Sequence, residues 1–536
     1  MGFSPTPIGK PLLHVDVAII GAGINGAATA RELSRMGHSV VLLDKGDIGA
    51  GTSSASSKLL HGGIRYLENG ELKLVFEACQ ERYHWLKHAP HLTKKQSFII
   101  PIYRHHKRKK WMIHAGILLY GLLSGFRQVG RNRMLSVAET LKRQPGLNPE
   151  GLVGSALYYD AQVDDARMCL ECALQAENWG TKLYTYHQID HIAHEGNRYI
   201  LSGKNTLKDK AFAFTADAIV QATGPWTDIL NAQSYQSNTD SIATQAPTPL
   251  LRPSIGSHIV TPSFLTEDAL LISANDGRVF FAIPWQGKTL IGTTDHPYTD
   301  TPDNASISAH DVAYLFENLY AIMPQLPKPL PILGTFTGIR PLTRDSHSSV
   351  GTTSREHAFT WLSDKHLCIT GGKYTTFRRI AKDAATLISE KLSAPNLVID
   401  PIETLFGGRV TPDLLPELAT LAPHLEKEQL KTLIRRYGAA ARYVLPYLLG
   451  KDNAHSLTPT MLRGEIGYMI AVEKAKTLDD ILRRRSTLFV DLKSDLLEEI
   501  AQACLEALGW TPAEKNKAIA NATERYIHAV HRLSQP

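Results

Sequence analysis

Hydrophobic positions near the start of the chain form two short apolar runs that flank a helical pattern. Residues 14–47, HVDVAIIGAGINGAATARELSRMGHSVVLLDKGD, begin with one apolar run, turn through glycines into a helix, and return as a second run that ends at Asp44. Continuous apolar runs of this length are typical of strands that are buried on both faces of a parallel sheet. The pattern therefore predicts a strand–helix–strand unit and an α/β fold.

The turn between the first strand and the helix contains a glycine motif. Gly21, Gly23 and Gly26 match G-x-G-x-x-G, and Asp44 follows 18 residues after Gly26. In a dinucleotide-binding unit these glycines allow a tight turn, a close approach of the pyrophosphate and close packing of helix on strand, while the acidic residue accepts hydrogen bonds from ribose hydroxyls. The motif in this context predicts a dinucleotide site.

Two later apolar runs extend this interpretation. The run at 215–221 ends in Ala222, Thr223 and Gly224, and the run that begins at Cys368 ends at Gly371 and Gly372 before a helix. A strand that ends in A-T-G resembles flavoproteins of the glutathione-reductase and amino-acid-oxidase type, which favours FAD over NAD. Backbone amides at the late turn could stabilise a reduced flavin; without a flavin it is an ordinary strand-to-helix turn.

Other patterns divide the rest of the chain. Runs of β-branched and aromatic residues such as RVFFAIPWQGKTLIGTTD predict an antiparallel sheet, and Leu414, Leu418 and Leu421 repeat at helical spacing. We expect a discontinuous Rossmann-like FAD-binding domain, a β-rich substrate domain and a C-terminal all-helical domain. Their expected bounds are 14–90, 150–230 and 335–395 for the first, 91–150 and 235–335 for the second, and 401–536 for the third.

Composition narrows the class of protein. The chain has 536 residues, of which 43% are apolar and 21% charged, so we expect a folded protein of two or three domains. Its net charge of +6 comes without a nucleic-acid-binding motif, so we expect no nucleic-acid partner. The five scattered cysteines favour a reducing compartment, and Cys169 and Cys172 are interpreted as parts of a buried helix rather than a redox or metal site.

One segment of the sequence is a candidate for contact with a membrane. The start of the chain has no signal-peptide pattern, and no apolar run is long enough to span a bilayer. Within residues 104–126, however, the basic stretch RHHKRKK precedes the apolar stretch WMIHAGILLYGLLSGF. This arrangement is typical of a helix on a membrane surface, and equally of a buried helix beside a basic loop. Both interpretations remain open from the sequence.

Motifs along nearly the whole chain carry a family resemblance. GAGINGAATARE, GTSSASSKLLHGGIRYLE, VDDARM, ATGPW, GSHIV, FAIPW, IGTTD, GIRPL, GGKYTTFR and TLDDILRRRS resemble, in this order, the FAD-dependent glycerol-3-phosphate dehydrogenases. The resemblance implies oxidation of sn-glycerol 3-phosphate to dihydroxyacetone phosphate with FAD as cofactor. It also implies a quinone as electron acceptor, peripheral association with the cytoplasmic face of the inner membrane, and a homodimer. Oxidase relatives use oxygen as acceptor instead.

The stretch TSSASSKLLHGGIRYL at 52–67 then lies beside the expected cofactor. Its small hydroxyl side chains are interpreted as cofactor lining, although a solvated serine-rich loop is the alternative. The residues expected to contact the cofactor are Gly21, Gly23, Asn25, Gly26, Asp44, Thr52, Ser53, Ser54, Ser57, Ala222, Thr223, Gly224, Gly371, Gly372, Lys373 and Thr375. No metal is expected.

Arginines are the candidates for phosphate recognition, since a guanidinium binds a phosphate in bidentate geometry. Arg65, with Tyr66 and His61 beside it, could bind the phosphate or form a surface ion pair. The resemblance places Arg340 near substrate and flavin, Arg355 near the phosphate, and Lys373 at the flavin.

Oxidation of a secondary alcohol needs a base for the hydroxyl proton and an acceptor for the hydride. His258 is our first candidate for the base and His61 the second, and we expect the base to titrate near neutral pH. With Arg340 steadying the alkoxide and Lys373 bordering the flavin, the C2 hydride would pass to N5 of FAD. An FAD-dependent hydroxy-acid or amino-acid oxidase remains an alternative, whereas a non-enzymatic binding protein would lack this set of residues.

Overall fold

The computed structural model describes residues 13–237, 248–344, 357–393 and 403–534. Its strands, in chain order, are β1 (Leu13–Ile20), β2 (Val40–Leu43), β3 (Leu59–Leu60), β4 (Thr93–Tyr103), β5 (Arg133–Leu135), β6 (Leu152–Val163), β7 (Lys182–Tyr184), β8 (His187–Glu195), β9 (Arg198–Asn205), β10 (Lys210–Gln221), β11 (Ser254–Pro262), β12 (Ala269–Ser273), β13 (Val279–Trp285), β14 (Lys288–Gly292), β15 (His296–Pro297), β16 (Gly334–Arg340), β17 (His357–Ser363), β18 (His366–Gly371), β19 (Ser456–Thr458) and β20 (Met461–Leu462).

The helices alternate with these strands in the first two thirds of the chain and dominate the last third. They are α1 (Ile24–Arg35), α2 (Leu72–His88), α3 (Lys110–Ser124), α4 (Val137–Arg143), α5 (Asp165–Asn178), α6 (Thr227–Ser237), α7 (Ala309–Ile322), α8 (Phe377–Lys391), α9 (Leu414–Leu421), α10 (Lys427–Tyr437), α11 (Ala441–Val444), α12 (Glu465–Ala471), α13 (Ser494–Leu508), α14 (Pro512–Thr523) and α15 (Ala529–Leu533).

The first sheet is the predicted parallel sheet. Strands β18, β10, β1, β2 and β7 lie side by side in this order and run parallel, β17 pairs with β18 at the edge, and β8 and β9 extend β10 as an antiparallel ribbon. Helices α1, α5 and α8 share a hydrophobic core with β1 and β10, in which Ala27, Ala173 and Ala384 allow close packing. This arrangement confirms the predicted α/β fold class, and Cys169 and Cys172 are buried free thiols of α5.

The second sheet is largely antiparallel and forms the β-rich part. Its main strands are ordered β15–β11–β14–β13–β12–β4–β6–β3, with β16 beside β11 and β5 beside β6. We had expected residues 150–163 and 335–340 in the FAD-binding domain, but β6 pairs with β4 along most of its length and β16 pairs with β11. An apolar run predicts a strand but not its partner, because pairing is decided by distant residues.

The last third of the chain, from α9 onward, is helical, as predicted. Leu414 and Leu418 are buried in its core, whereas Leu421, the third residue of the predicted stripe, is 59% exposed. Thr477 and Asp480 bond to each other's backbone amides, as in a capped helix start, and a π-helical turn follows at Asp480–Arg485. Among the described residues, no helix is long and apolar enough to cross a bilayer.

Candidate functional site

A cavity of about 870 Å³ lies between the two sheets. The carboxyl ends of the parallel strands β1, β2, β10 and β18 open into it, as ligand sites in open α/β sheets do. We call this side the cofactor wall, defined by Gly21, Gly23, Asn25, Asp44, Ala222, Thr223, Gly224, Gly371 and Gly372. The opposite side, the substrate wall, is defined by Gly256, His258, Thr293, Asp295 and Arg340 of the second sheet and its loops.

The glycine turn of the cofactor wall has no room for side chains. Gly21 has a φ of +104°, and a Cβ there would lie 2.5 Å from the carbonyl oxygen of Ala222. A Cβ on Gly26 would lie 1.9 Å from the carbonyl oxygen of Gly21, so this glycine lets α1 pack on β1 without itself lining the cavity. Gly23 precedes α1 in extended conformation and does line the cavity. The turn thus provides the close backbone approach that a pyrophosphate needs.

Polar groups around this turn fit a dinucleotide. The N-terminus of α1 opens on the cavity with no acidic residue in its first turn, which favours an anion. The Ile24 amide donates to Ser53 Oγ (2.8 Å), and the Ala22 amide donates to Asp44 Oδ2 (2.7 Å). Burial raises the pKa of the Asp44 carboxyl, and its amide hydrogen bonds act in the opposite direction. Asp44 lines the cavity where a ribose hydroxyl would be bound.

Residues 52–57 connect the two walls. Thr52 Oγ1 donates to the carbonyl oxygen of Ile339 in β16 (2.6 Å), and Ser57 Oγ lies 2.9 Å from His258 Nε2 on the substrate wall. Of the residues predicted to contact the cofactor, Thr52, Ser53 and Ser57 line the cavity, whereas Ser54 is buried behind it. The segment is therefore an ordered bridge rather than a solvated loop.

Lys58 and Asp165, which no sequence pattern had singled out, hold this bridge in place. Lys58 Nζ contacts Asp165 Oδ1 (2.6 Å) in a buried ion pair, and Ser56 Oγ donates to Asp165 Oδ2 (2.6 Å). The second aspartate of the motif VDDARM was the available signal, since a buried carboxylate at a helix start needs a partner.

Arg340 lies at the end of β16 on the substrate wall. Its Nη2 donates to Thr293 Oγ1 (2.8 Å), and its Nη1 contacts Asp295 Oδ1 (3.1 Å). A Cβ on Gly256 would lie 2.3 Å from Nη2, so this glycine makes room for the guanidinium. The side chain is 20% exposed toward the cavity, and its orientation is fixed by these partners. Thr293 and Asp295 belong to the motif IGTTD, to which the sequence reasoning assigned no function.

His258 lies on β11 and is buried. Its ring stacks on Phe336 with centroids 4.7 Å apart, and its Nδ1 has no hydrogen-bond partner among the described residues. Burial, followed by the charges of Arg340 and Lys58, lowers the pKa of His258 well below its ordinary value. The imidazole is therefore neutral at pH 7, but it is a weaker base than an ordinary histidine and does not titrate near neutrality as we had expected.

The other predicted residues that the structure describes, His61, Arg65, Tyr66, Lys373 and Thr375, also line the cavity. Lys373 Nζ lies 3.2 Å from the ring centroid of Tyr66, and Thr375 Oγ1 donates to the carbonyl oxygen of His61 (3.2 Å). Arg65 lines the cavity with an exposed side chain. Arg355 lies outside the described residues.

The structure thus brings most of the predicted site residues to one cavity. These are Gly21, Gly23, Asn25, Asp44, Thr52, Ser53, Ser57, His61, Arg65, Tyr66, Ala222, Thr223, Gly224, His258, Arg340, Gly371, Gly372, Lys373 and Thr375. The arrangement places a neutral imidazole and a fixed guanidinium opposite a wall suited to a dinucleotide, so one group could take up a proton and the other could stabilise negative charge beside a bound cofactor.

Comparisons with known proteins match this arrangement. The sequence model of the family described as FAD dependent oxidoreductase matches residues 16–376, and that of the C-terminal domain of alpha-glycerophosphate oxidase matches residues 367–515. Together the two models cover most of the chain.

Two relatives of similar length are named as glycerol-3-phosphate dehydrogenases. Glycerol-3-phosphate dehydrogenase 2 of Mycobacterium bovis is 32% identical over 97% of this chain and 89% of its own, and the aerobic glycerol-3-phosphate dehydrogenase of Bacillus subtilis is 29% identical over 97% and 96%. Among solved structures, the FAD complex of glycerol-3-phosphate dehydrogenase from Bacillus halodurans superposes with a TM-score of 0.78 at 24% identity, covering 96% of this chain and 95% of that one.

Proposed function

The chain belongs to the family of FAD-dependent glycerol-3-phosphate dehydrogenases, and we propose that it passes electrons from sn-glycerol 3-phosphate to a membrane quinone. Family membership confirms the resemblance drawn from the sequence motifs, and with it FAD as the cofactor. The observation that carries the substrate proposal is the single cavity in which Arg340 and His258 face the glycine-rich cofactor wall.

Each wall has its own part in the proposed reaction. The backbone at Gly21 and Gly23 and the carboxylate of Asp44 would hold the dinucleotide part of FAD, and Gly371, Gly372 and Lys373 its flavin end. When bound at these residues, FAD would supply the acceptor for the hydride that leaves C2 of the substrate.

The substrate wall acts on the alcohol itself. His258, neutral at pH 7, accepts the proton of the C2 hydroxyl, and Arg340 stabilises the negative charge that develops on that oxygen. Arg65, which lines the cavity, supplies positive charge for the phosphate.

The substrate is tested by anaerobic mixing. We expect sn-glycerol 3-phosphate to bleach the flavin absorbance rapidly, and equal concentrations of glycerol, lactate and a D-amino acid to leave it unchanged. Bleaching by lactate or the amino acid in place of the phosphate ester would make the enzyme a hydroxy-acid or amino-acid oxidase and assign Arg340 to a carboxylate.

The quinone proposal rests on helix α3. Its residues Trp111, Leu118 and Leu122 are 72%, 59% and 76% exposed, and with Ala115 they follow the i, i+4, i+7, i+11 spacing of one helix face. Phe76 of the neighbouring α2 adds a further exposed apolar side chain. An unpaired apolar stripe of this kind is expected to bury itself in a membrane interface.

Basic side chains adjoin this stripe. Arg104, Lys107, Lys109 and Lys110 are exposed before and at the start of α3, whereas Arg108 pairs with Glu68. Exposed cations next to an apolar helix face suit a surface with anionic lipid headgroups. The sequence was equally consistent with a buried helix. In the structure, α3 is buried on one face and exposed on the other.

The buried face of α3 lies next to the cavity. The Tyr120 hydroxyl donates to Asp160 Oδ1 (2.6 Å), which also accepts from the Gly62 amide (3.0 Å). Gly62 stands between the cavity-lining residues His61 and Gly63. A quinone in the membrane at the exposed face would therefore lie about one helix diameter, roughly 10 Å, from the cavity wall.

Membrane binding is tested by sedimentation with vesicles that contain anionic lipid. We expect the double variant Leu118→Ser/Leu122→Ser to bind at least roughly tenfold more weakly, since two apolar side chains leave the interface. The matched control is Leu421→Ser/Leu449→Ser, two comparably exposed leucines of the C-terminal domain. Equal binding of the α3 variant and the parent would refute the membrane proposal.

The acceptor is tested by stopped flow. Enzyme reduced with substrate is mixed either with a short-chain quinone or with oxygen, and we expect the quinone to reoxidise it faster. Faster reoxidation by oxygen with formation of hydrogen peroxide would make the protein an oxidase. A homodimer, implied only by the resemblance, belongs to the same proposal and is measured by light scattering.

A further inference from the structure

The loop that follows β2 is held from outside by the C-terminal domain. The carboxylate of Asp47 in this loop is fully buried and accepts from Arg484 Nε (2.6 Å), Arg485 Nη1 (2.6 Å) and Arg485 Nη2 (2.9 Å). Both arginines belong to the π-helical turn Asp480–Arg485, more than 430 residues away in sequence. These three residues, which we call the Asp47 clamp, join the first sheet to the helical domain.

The two arginines are themselves fixed. Arg485 Nη2 donates to the carbonyl oxygen of Glu473 (2.5 Å), and Arg484 Nη1 donates to Asp479 Oδ2 (2.6 Å). Burial opposes ionisation of Asp47, but the charges of Arg485 and Arg484 prevail and hold its pKa below the ordinary value. The clamp is a network of buried charges that compensate each other only in this arrangement.

Tyr186 makes a second connection to the same loop. Its amide donates to the carbonyl oxygen of Gly46 (2.8 Å), and its hydroxyl donates to Asp480 Oδ1 (2.6 Å). The loop at 44–51 is thus bonded to the C-terminal domain at two places, directly through Asp47 and indirectly through Tyr186.

The inner side of this loop forms part of the cofactor wall. Asp44 Oδ2 accepts from the Ala22 amide (2.7 Å), and the Gly49 amide donates to the carbonyl oxygen of Ala22 (2.9 Å), in the middle of the glycine turn. Asp44, Gly46 and Gly51 line the cavity. The same eight residues therefore contact the C-terminal domain on one side and the dinucleotide site on the other.

We propose that the Asp47 clamp is a positioning device through which the C-terminal domain fixes the loop at 44–51 and thereby sets the affinity for FAD. Without the clamp, the loop keeps the backbone bonds of Asp44 to Tyr184 and His187 and those of Gly46 and Gly49 to Tyr186 and Ala22, but it loses its charged attachment to the C-terminal domain. The part of the loop after Asp44 is then less ordered, and FAD must order it on binding, which weakens its affinity. The C-terminal domain thus acts on the cofactor through this loop, since none of its described residues lines the cavity.

The test measures FAD affinity in the full-length protein. In Asp47→Asn and in Arg485→Lys we expect the FAD dissociation constant, followed by flavin fluorescence, to rise by roughly tenfold or more. We expect heating to release the flavin before the circular dichroism signal of the fold is lost, and excess FAD to restore the parent kcat.

The matched control is Arg436→Lys, which disturbs another buried ion pair of the C-terminal domain, that of Arg436 and Glu465, away from the loop. We expect it to leave the FAD dissociation constant within roughly twofold of the parent. An equal rise in this control, or an unchanged dissociation constant in Asp47→Asn, would overturn the proposal.

Tyr186→Phe provides a milder test if the charge variants do not fold. It removes only the hydroxyl that contacts Asp480, and we expect roughly a threefold weaker binding of FAD with an unchanged unfolding midpoint. A parent-like dissociation constant for this variant, with the charge variants unfolded, would assign the network to folding alone and refute the proposal.

Discussion

The two walls of the cavity bind their ligands by opposite means. The cofactor wall is built mostly of backbone and small residues, and at Gly21, as at Gly26 behind it, even one added carbon would meet a carbonyl oxygen. The substrate wall depends on particular side-chain atoms, the guanidinium of Arg340 and the imidazole of His258, which are held by their neighbours. We therefore expect added atoms to disrupt FAD binding at the cofactor wall, and removed or displaced atoms to disrupt the reaction at the substrate wall.

The largest effect is expected from adding a methyl group at Gly26. The Cβ of Gly26→Ala would lie 1.9 Å from the backbone oxygen of Gly21, so α1 must move away from β1 and open the glycine turn. Since overpacking against backbone costs about 3 kcal/mol, we expect FAD to bind at least roughly 100-fold more weakly. The flavin content of the purified protein measures this effect.

Gly116→Ala is the control for this prediction, because a Cβ at Gly116 meets nothing within 4 Å. It should retain the flavin fully. If purified Gly26→Ala were yellow and bound FAD with the affinity of the parent, the turn would tolerate a side chain. The expected difference between the two walls would then be refuted.

The next effect is expected on the rate of reaction rather than on cofactor binding, when a donor is removed from the substrate wall. Arg340→Ala should slow flavin reduction by sn-glycerol 3-phosphate by roughly 10²–10³-fold, because the developing negative charge loses a preorganised donor. Arg340→Lys should recover only a small part of this loss, since an ammonium cannot reproduce the fork between Thr293 and Asp295. Single-turnover mixing measures the rate, with bound FAD unchanged.

Arg143→Ala serves as the control, because Arg143 makes a comparable fork with Asp268 away from the cavity. Its rate of flavin reduction should equal that of the parent. If Arg340→Lys reduced the flavin as fast as the parent, charge alone would suffice and the fixed geometry of this wall would have no catalytic role.

This difference between the two walls explains which parts of the site the sequence could predict. The first part of the cofactor wall is encoded locally: strand, glycine turn, helix and Asp44 follow one another within 34 residues, so spacing predicts them, whereas residues 222–224 and 371–372 come from distant strands. The substrate wall is assembled from β11, the turn after β14 and β16, whose pairing is set by tertiary contacts. Arg340 and His258 were found through family motifs, whereas the roles of Asp295 and Asp165 were missed, because no local pattern indicates which distant side chain a buried carboxylate will meet.

The assignment of the base is the next prediction. His258→Gln should reduce the rate of flavin reduction by roughly 100-fold at pH 7, and His61→Gln, the other candidate, by much less. Because burial and the charges of Arg340 and Lys58 lower its pKa, His258 is already neutral at pH 7. The kcat/KM of the parent should therefore show no rise that is centred near the ordinary histidine value of 6.5.

Two outcomes would contradict this assignment. Parent-like flavin reduction in His258→Gln would exclude His258 as the base, and a large loss in His61→Gln alone would transfer the role to His61. A rise in kcat/KM centred at pH 6.5 that disappears in His258→Gln would keep the base but place its pKa at the ordinary value.

The smallest effect should come from a buried histidine beneath the cofactor wall, and it acts on stability rather than on chemistry. His366 of β18 lies 3.2 Å through Nε2 from Gln221 Oε1 of β10, and burial lowers the pKa of His366 to about 4. Its unfolded form takes up a proton below pH 6.5, whereas the folded form resists it down to about pH 4, so stability is lost as the pH falls through this window. At pH 5 the loss is about 2 kcal/mol relative to pH 7.

His366→Gln keeps a hydrogen-bonding amide, so its denaturation midpoint should fall less between pH 7 and pH 5 than that of the parent. The midpoint of His455→Gln, a change at an exposed site, should fall as much as that of the parent. If the denaturation midpoints of the parent and His366→Gln fell equally with pH, acid would weaken the cofactor wall through other groups. The comparison of the two buried neutral histidines, His366 and His258, would then not extend to stability.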